Sequence, residues 1–271
     1  MTAAPALPPG YRLIRRETTD STNEDAKGLA RAGAADGTLV WADSQSAGRG
    51  RQGRSWASPP GNLYASLVLR PDKPVAEASQ LSFVAAVALG DALAGLLPPT
   101  VSITCKWPND LLLDGRKVAG ILIEAEGQGS GPADWLVLGF GVNCASHPAE
   151  TAYPATSLEA EAGRPVVPGT VLEAFTRHFR SWRQRWQAEG FAAIRAAWLD
   201  RAHGLGTAIE ARLPGRTLAG TFVDLDRDGV LLLEAADGTR TRISAGDVYF
   251  RPPSPKLVDT GAGRPLRENT R

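Results

Sequence analysis

Residues 101–126, VSITCKWPNDLLLDGRKVAGILIEAE, contain three short apolar segments that are typical of neighbouring β-strands. These segments span 101–106, 111–113 and 117–126, and residues 135–143 form a fourth. Between the second and third segments lies Asp114-Gly115, a dipeptide that favours a two-residue hairpin turn. This arrangement predicts a sheet that is mainly antiparallel or mixed.

Outside this stretch, further strand-like and helix-like segments alternate irregularly. Strands are predicted at 11–17, 38–43 and 62–69, and helices at 22–32, 76–97, 170–186 and 191–199. Ser21 and Glu24 have the spacing of a capping box at the start of the first helix, and Gly33 is a natural helix stop. The irregular order predicts an α+β fold in which helices pack on the sheet.

The pattern changes near residue 204. Residues 207–251 are short alternating segments, and Asp228-Gly229 and Asp237-Gly238 favour turns between them. The pattern predicts a small five-stranded barrel of SH3-like size. We therefore divide the chain into a main domain at 1–203, a barrel at 204–251 and a proline-containing tail at 252–271 that we expect to be disordered.

The composition excludes several classes of protein. The 271 residues carry 30 Lys and Arg against 29 Asp and Glu, so no global charge favours nucleic acid or a membrane. Two cysteines and three histidines, without metal-ligand spacing, argue against a disulfide scaffold or a metal-centred enzyme. No apolar run approaches the ~20 residues that span a bilayer, and residues 1–10 lack a secretion signal. We therefore expect a cytoplasmic protein.

Residues 48–56, GRGRQGRSW, place Arg49, Arg51 and Arg54 among three glycines. Glycine lets a backbone approach a ligand closely, and the arginine guanidinium matches phosphate or carboxylate groups. The loop suits an enclosed anion such as a triphosphate, while a solvated basic loop and an RNA-binding segment remain open alternatives. The Lys-Ser/Thr ending of a Walker loop is missing, and no dinucleotide fingerprint follows Gly139-Phe140-Gly141.

Residues 106–110, KWPND, bring a cation, an indole and two short polar side chains to the end of a predicted strand. Pro108 restricts its own φ to about −65°, so the chain must turn there. Asn109 and Asp110 then lie where ligands are commonly held. The alternative is a structural Asx turn in which Lys106 pairs with Asp110.

Lys117 begins a nearly all-apolar strand, which would place its ammonium group at the edge of the core. A cation there would stabilise negative charge that develops on a carboxylate and a phosphate. The structural alternative is a gatekeeper on an edge strand. Gly120, Gly139 and Gly141 permit close approach of a flat ligand or mark bulges, and residues 19–23, TDSTN, are also explained by helix capping.

Together and in this order, five segments closely resemble the catalytic domain of biotin–protein ligases. They are TDSTN at 19–23, GRGRQGRSW at 48–56, KWPND at 106–110, GRKVAGILIE at 115–124 and GFGVN at 139–143. A single short motif often matches by chance, whereas five ordered motifs are specific. The resemblance extends from about residue 11 to residue 251. It implies a class II synthetase-like mixed β-sheet with packed helices, followed by a small SH3-like β-barrel.

The resemblance implies an ATP-dependent ligase. Biotin and Mg-ATP would form biotinyl-5′-AMP, and a lysine on the biotin carboxyl carrier domain of a biotin-dependent carboxylase would then take the biotin. Since the adenylate is a reactive anhydride, it must be shielded from water. We expect the polar segment 145–158 to become ordered over it.

The matching motifs also imply roles for individual residues. The biotin pocket would be lined by Ser21, Thr22, Gln45, Gly48, Arg49, Lys117, Gly120, Gly139 and Gly141. The nucleotide would be bound by Arg51, Arg54, Trp56, Asn109 and Asn143. The catalytic residues would be Lys117, Arg51 and Lys106. Asp110 would help to hold Mg²⁺.

The nearest alternative is a lipoate– or octanoate–protein ligase, which would share the fold and the adenylation chemistry. The complete GRGRQGRSW string and the small C-terminal barrel favour biotin. An RNA-binding module that uses the arginine-rich segment is a different class, and the net charge near zero argues against it. About 18 residues precede TDSTN, too few for a three-helix DNA reader, so we expect no specific DNA binding. Monomer and homodimer both remain open.

Overall fold

The main element of the fold is a seven-stranded sheet. The structure is a computed structural model that describes residues 4–127, 131–151 and 153–250. The strands of this sheet are β1 (Arg12–Thr19), β2 (Thr38–Gln45), β3 (Leu63–Leu69), β4 (Ile103–Lys106), β5 (Asp110–Leu113), β6 (Arg116–Gly127) and β7 (Ala133–Val142). They lie in the order β1-β2-β3-β7-β6-β5-β4. β1 is parallel to β2 and the other neighbouring pairs are antiparallel, which confirms the predicted mixed sheet.

The hairpin between β5 and β6 follows from the turn that joins them. Asp114 and Gly115 both have positive φ angles, 46° and 76°, as the favoured two-residue turn requires. The turn pairs Leu113 with Arg116, and β6 then pairs with β7 along nearly its whole length. The predicted hairpin is therefore confirmed.

Six α-helices accompany the sheet within the described ranges. They are α1 (Thr22–Arg31), α2 (Val75–Ala78), α3 (Leu81–Ala94), α4 (Leu158–Ala162), α5 (Pro168–Glu189) and α6 (Phe191–Leu199). The helices predicted at 22–32, 170–186 and 191–199 are confirmed as α1, α5 and α6, with Gly190 separating the last two. None of these six helices is both long enough and apolar enough to cross a membrane.

The segment predicted as one helix at 76–97 forms two helices, α2 and α3. Between them the backbone N–H of Gln80 bonds to the carbonyl of Glu77, the spacing of a tighter turn. The Gln80 side chain also accepts a hydrogen bond from the indole of Trp186 on α5 at 3.0 Å, which holds the break in place. The sequence does not predict α4, because five residues are too few to show helical periodicity.

The two faces of the sheet are covered unequally. Successive residues of a strand face opposite sides, so Leu67 and Leu69 of β3 lie on one face and Val68 on the other. The helices α3, α5 and α6 pack together over the first face to form the main core. On the second face α1 alone packs, over Val68 and Val137. Part of the second face is left uncovered by helices.

The predicted capping box at the start of α1 is wrong. Ser21 is the N-cap residue, but its hydroxyl makes no capping hydrogen bond. The Glu24 carboxylate instead pairs with Lys27 at 2.7 Å and with Arg49 of the arginine loop, residues 46–61 between β2 and β3. Ion pairing therefore replaces the reciprocal cap. The predicted stop is confirmed, since Gly33 follows α1 with φ 85°.

A second sheet forms the C-terminal part of the described chain. Its strands are β8 (Ala208–Leu213), β9 (Arg216–Leu225), β10 (Leu231–Glu234), β11 (Arg240–Ile243) and β12 (Asp247–Phe250). They pair antiparallel in the order β11-β10-β9-β8-β12, and Gly229 and Gly238 form the predicted turns with φ 82°. This agrees with the predicted five-stranded unit. The domain limits stay a prediction, and the tail predicted at 252–271 lies outside the described residues.

The C-terminal sheet packs directly on the rest of the chain. The indole of Trp107 donates to the carbonyl of Gly229 at 3.1 Å, and Arg195 Nε donates to the carbonyl of Leu225 at 2.7 Å. The buried apolar residues of this sheet belong to the same core as α3 and α5. These contacts hold the C-terminal sheet against α6 and against the segment between β4 and β5.

His203 lies where the two sheets meet. Its ring contacts Phe250 of β12 edge-on, with ring centroids 4.4 Å apart, and its backbone N–H donates to the carbonyl of Cys105. Burial lowers the pKa of His203 below its usual value of 6.5, and repulsion from the Lys106 ammonium lowers it further. The folded chain therefore favours the neutral imidazole.

We expect His203 to make the protein less stable as the pH falls. Below the usual pKa of 6.5 the unfolded chain binds a proton here more readily than the folded chain does, so protonation favours unfolding. Urea unfolding at about pH 7.5 and about pH 5.5 would measure this, with His203→Gln as the comparison. The variant should lose less free energy of unfolding than the wild type, and an equal loss in both proteins would contradict the expectation.

Candidate active site

A cavity of about 540 Å³ opens on the face of the main sheet that carries α1. Its floor is formed by β6 and β7, where Gly120, Gly139 and Gly141 have no side chains. Its walls come from the start of α1, the arginine loop, β5, β12 and the segment that follows β7, whose residues 144–151 we call the cover segment. A cavity of this size accommodates a small-molecule ligand.

Two lysines share one carboxylate at the cavity floor. Lys117 Nζ lies 2.7 Å from Asp110 Oδ1, whereas Lys106 Nζ lies 3.8 Å from Oδ2. The Lys106–Asp110 pair of the structural alternative is thus the longer of the two contacts. β6 lies inside the sheet, so the interpretation of Lys117 as an edge-strand gatekeeper is wrong. Because 27% of the Lys117 side chain is exposed, its ammonium group is accessible to a ligand.

Lys106 is the more buried of these two cations, with 7% exposure. Its Nζ lies 4.4 Å from the ring centroid of Tyr153 and 5.9 Å from that of Tyr249 on β12. Burial lowers the pKa of Lys106, while Asp110 opposes that shift and Lys117 adds to it. The aromatic faces compensate for part of the lost hydration. Negative charge placed beside Lys106 would therefore be strongly stabilised.

The arginines of the arginine loop make contacts outside that loop. Arg49 forms an ion pair with Glu24 on α1, and Arg54 forms one with Asp247 on β12 at 2.8 Å. Arg51 donates to the backbone carbonyl just before β12 at 3.3 Å. All three arginines also line the cavity. The loop is thus tied to α1 and to the C-terminal sheet, which argues against a freely solvated basic segment.

The indole of Trp56 lies on the glycine floor. A Cβ atom built on Gly141 would come within 2.6 Å of this indole, and one on Gly120 within 3.0 Å. The ring centroid also lies 5.2 Å from Lys117 Nζ, and the indole Nε1 is buried without a hydrogen-bond partner among the described residues. Glycine is therefore needed at both positions to accommodate the indole. A flat ligand that contacts these glycines, as predicted, must displace Trp56.

Asn23 lines the cavity, although the sequence does not single it out as a site residue. Its Nδ2 donates to Glu124 Oε2 on β6 at 2.8 Å, and its Oδ1 accepts from Ser66 Oγ on β3 at 2.5 Å. A Cβ atom on Gly139 would lie 1.9 Å from this Oδ1. Gly139 therefore leaves room for Asn23, a different role from the predicted contact with a flat ligand.

Gln45 connects α1 to the arginine loop. Its Oε1 accepts from the backbone N–H of Thr22 at 2.8 Å, and its Nε2 donates to Ser58 Oγ at 2.9 Å. A Cβ atom on Gly48 would lie 2.5 Å from that Oγ and 2.6 Å from the carbonyl oxygen of Trp56. Gly48 is needed for this close packing inside the loop. It is not among the residues that line the cavity, contrary to the prediction.

Asn109 and Asn143 both hold backbone while lining the cavity. Asn109 Nδ2 donates to the carbonyl of Ile121 at 2.5 Å, and Asn143 Nδ2 donates to the carbonyl of Thr156 at 3.0 Å. The backbone N–H of Thr156 in turn donates to the carbonyl of Lys117 at 2.9 Å. These bonds fix the residues around Lys117.

Apart from Gly48, the predicted site residues converge on this cavity although they come from distant parts of the chain. The ones that line it are Ser21, Thr22, Gln45, Arg49, Arg51, Arg54, Trp56, Lys106, Asn109, Asp110, Lys117, Gly120, Gly139, Gly141 and Asn143. Sequence reasoning misses Asn23, Tyr153, Asp247 and Tyr249. Asn23 and Tyr153 lie in segments that the sequence singles out, but nothing local distinguishes them there, whereas Asp247 and Tyr249 reach the cavity only because β12 packs beside it.

Asp110 does not belong to a metal site formed by protein groups alone. Its carboxylate faces two ammonium groups. The described part of the chain contains no group of three or more His, Cys, Asp or Glu side chains that could hold a metal ion. Mg²⁺ is commonly bound by one or two carboxylates together with substrate phosphates. Asp110 fits only that limited role, and its contact with Mg²⁺ stays a prediction.

Two protein-family models match this chain, one over the main sheet and its helices and one over the C-terminal sheet. A family model described as the biotin/lipoate A/B protein ligase family matches residues 7–200. A second model, described as the biotin protein ligase C terminal domain, matches residues 204–251. The chain belongs to the biotin/lipoate A/B protein ligase family.

Individual relatives are similar over most of the chain. A biotin–[acetyl-CoA-carboxylase] ligase of Paracoccus denitrificans is 44% identical over 237 residues, which cover 86% of this chain and 98% of the relative. The bifunctional ligase/repressor BirA of Bacillus subtilis is 36% identical, over 87% of this chain and 73% of the relative. The solved structure of biotin protein ligase from Aquifex aeolicus in complex with biotin and ATP has a TM-score of 0.75 and 27% identity, covering 89% of this chain and 98% of that one.

We expect Gly139→Ala to destabilise the protein. The added methyl group would collide with Asn23, which can move only by leaving Ser66 and Glu124, so the free energy of unfolding should fall by about 1–3 kcal/mol. Urea unfolding would measure the change.

The matched control is Gly28→Ala inside α1. Nothing lies within 4 Å of a Cβ atom at this position, and alanine favours a helix interior, so this variant should gain up to about 1 kcal/mol. A Gly139→Ala protein as stable as the wild type would mean that Asn23 does not fill the space above Gly139.

Proposed function

We propose that the protein is a biotin–protein ligase. It activates biotin with Mg-ATP to form biotinyl-5′-AMP and transfers the biotin to a lysine of a biotin carboxyl carrier domain. The observation that carries the proposal is the pair of cations, Lys117 and Lys106, beside the glycine floor of a cavity that the arginine loop borders. The named activity of the relatives supports it.

In the first step a carboxylate oxygen of biotin attacks the α-phosphorus of ATP, and the bond to pyrophosphate breaks. Negative charge then concentrates on the oxygens between the two reactants. Lys117 is accessible to the cavity and would hold the carboxylate, while Lys106 would stabilise the phosphate. Because little water screens a buried cation, its effect on this charge is large. Mg²⁺ enters with ATP as part of the substrate.

Arg51 and Arg54 would bind the remaining phosphates. Both guanidinium groups line the cavity and contact the start of β12. The Arg54–Asp247 pair is partly exposed, so it contributes little to stability and can be exchanged for a phosphate at small cost. Binding of ATP would then draw the arginine loop over the nucleotide.

In the second step the ε-amine of the carrier lysine attacks the acyl carbon, and the bond to AMP breaks. The anhydride would hydrolyse if water reached it first. The arginine loop, the cover segment and β12 border the cavity on different sides and limit the access of water. The carrier lysine must therefore enter through the opening between them.

A lipoate– or octanoate–protein ligase is the alternative that the description of the matching family model also includes. Its substrate would present an aliphatic chain or a dithiolane in place of the ureido ring of biotin. The polar side chains of Ser21, Thr22, Asn23 and Gln45 along one wall favour a ring that both donates and accepts hydrogen bonds. An RNA-binding role is disfavoured because the net charge of the chain is close to zero.

ATP–pyrophosphate exchange with the purified protein distinguishes these substrates. The assay is run separately with biotin, lipoate and octanoate. We expect exchange with biotin alone. Exchange with lipoate or octanoate instead would change the substrate but keep the reaction, and no exchange with any of them would contradict the proposed function.

We expect Lys117→Gln to lose at least about 100-fold in biotin-dependent exchange, because it removes the cation that faces the developing charge. The matched control is Lys73→Gln, which removes an equally positive but largely exposed side chain that pairs with Glu77 on α2. The control should exchange at the wild-type rate. A Lys117→Gln protein that is folded and fully active would contradict the role given to Lys117.

A further inference from the structure

Asn62 lies between the arginine loop and β3 and is 3% exposed. It is outside the cavity lining, and no step of the proposed reaction uses it. Its Oδ1 nevertheless accepts hydrogen bonds from the backbone N–H groups of Cys144, Ala145 and Ser146, at 2.8, 2.9 and 3.1 Å. Its Nδ2 donates to the carbonyl oxygen of Ser146 at 2.9 Å. One side chain thus holds the first three residues of the cover segment.

The backbone N–H groups of three successive residues, 144–146, point at the same oxygen atom. Such a turn forms a concave site for an anion or another strong acceptor. Here the acceptor is the carboxamide oxygen of Asn62. Without it, the N–H of Cys144 would be buried without a partner, and each such loss is costly. The conformation of the cover segment therefore depends on a residue from a different loop.

Asn62 lies where the arginine loop and the cover segment meet. Gly61 precedes Asn62 with φ 96°, and a Cβ atom on Gly61 would lie only 3.1 Å from the Cβ of Ala145. From this junction the arginine loop leads back to Trp56 and the cover segment leads on to Thr151, and both of these residues line the cavity. A displacement at the junction would move both borders of the cavity.

We infer that Asn62 is a positioning residue that keeps the cover segment in register with the arginine loop, so that the two loops together retain the adenylate. It acts through the backbone of residues 144–146 and not through a contact with the reactants. The inference rests on the proposed function only for the identity of the retained intermediate.

Retention of the intermediate is the first test. The full-length chain is incubated with biotin and ATP, freed of unbound ligands, and followed for loss of bound biotinyl-5′-AMP without a carrier. Asn62→Ala should lose the intermediate at least about tenfold faster than the wild type, because an unanchored cover segment admits water and lets the ligand leave. Pyrophosphate exchange at saturating substrates should stay within about threefold, because the cations are untouched.

Proteolysis is the second test, and it does not depend on activity. A protease that cleaves after glutamate has a site after Glu150 in the cover segment and one after Glu234 in β10. Asn62→Ala should be cut at least about tenfold faster after Glu150 and at the wild-type rate after Glu234. Equal acceleration at both sites would mean general destabilisation and would overturn the inference, as would unchanged cutting after Glu150 with an unchanged half-life of the intermediate.

Two further variants complete the design. Thr38→Val removes a hydroxyl that donates to the carbonyl of Ala35 at 2.9 Å, a bond that involves neither the arginine loop nor the cover segment, so it should leave the rate of cutting after Glu150 unchanged. Asn62→Asp keeps an oxygen for the three N–H groups, which stabilise a carboxylate, but it loses the Nδ2 donor to the Ser146 carbonyl, so it should be cut after Glu150 faster than the wild type and more slowly than Asn62→Ala. If Asn62→Ala fails to fold, an Asn62→Asp protein that is cut after Glu150 at the wild-type rate and retains the intermediate as long as the wild type would still overturn the inference. Failure of exchange in the wild type would contradict the proposed function alone.

Discussion

The unequal covering of the main sheet is the constraint on which the site depends. Three helices bury most of one face, whereas among the described helices α1 covers only part of the other. The uncovered part has no side chains at Gly120 and Gly141, so it forms a flat floor instead of a second core. Loops and the C-terminal sheet must then enclose that floor. A rigid sheet thus positions the cations, while the surrounding segments control access.

The separation between a rigid sheet and the segments that surround it also explains where the charged side chains lie. The chain is almost neutral overall, yet Lys106 and Lys117 lie together near a single, partly buried carboxylate. Two like charges this close repel each other, and Asp110 offsets that repulsion in the absence of a ligand. A substrate that brings its own negative charges relieves the same repulsion more fully. Binding of an anionic substrate would therefore offset the unfavourable electrostatic free energy of placing both cations here.

Much of the fold could be predicted because its signals are local. The Asp114-Gly115 turn determines its own hairpin, and Gly190 separates two helices whose apolar spacing is visible in the sequence. Apart from Gly48, the predicted site residues reach one cavity, because most of the motifs lie at a strand end or a helix start. Local sequence patterns do not predict a contact when a residue that is distant in the sequence supplies one of the partners. The pairing of Glu24 with Arg49 instead of a helix cap is one example, and the contribution of Tyr249 from β12 to the cavity is another.

Neutral amides hold the loops around the cavity for an electrostatic reason. Asn23, Gln45, Asn62, Asn109 and Asn143 each bond backbone or side chains near the floor. An ion pair in such a position would stiffen the loop equally well, but it would add a charge close to a site that must discriminate between anionic groups. The ion pairs of Arg49 and Arg54 lie at the more exposed border, where they are weak and a phosphate can replace their carboxylates. Near the floor, neutral amides therefore add rigidity beside the Lys117–Asp110 ion pair, while the ion pairs of Arg49 and Arg54 lie at the exposed border of the cavity.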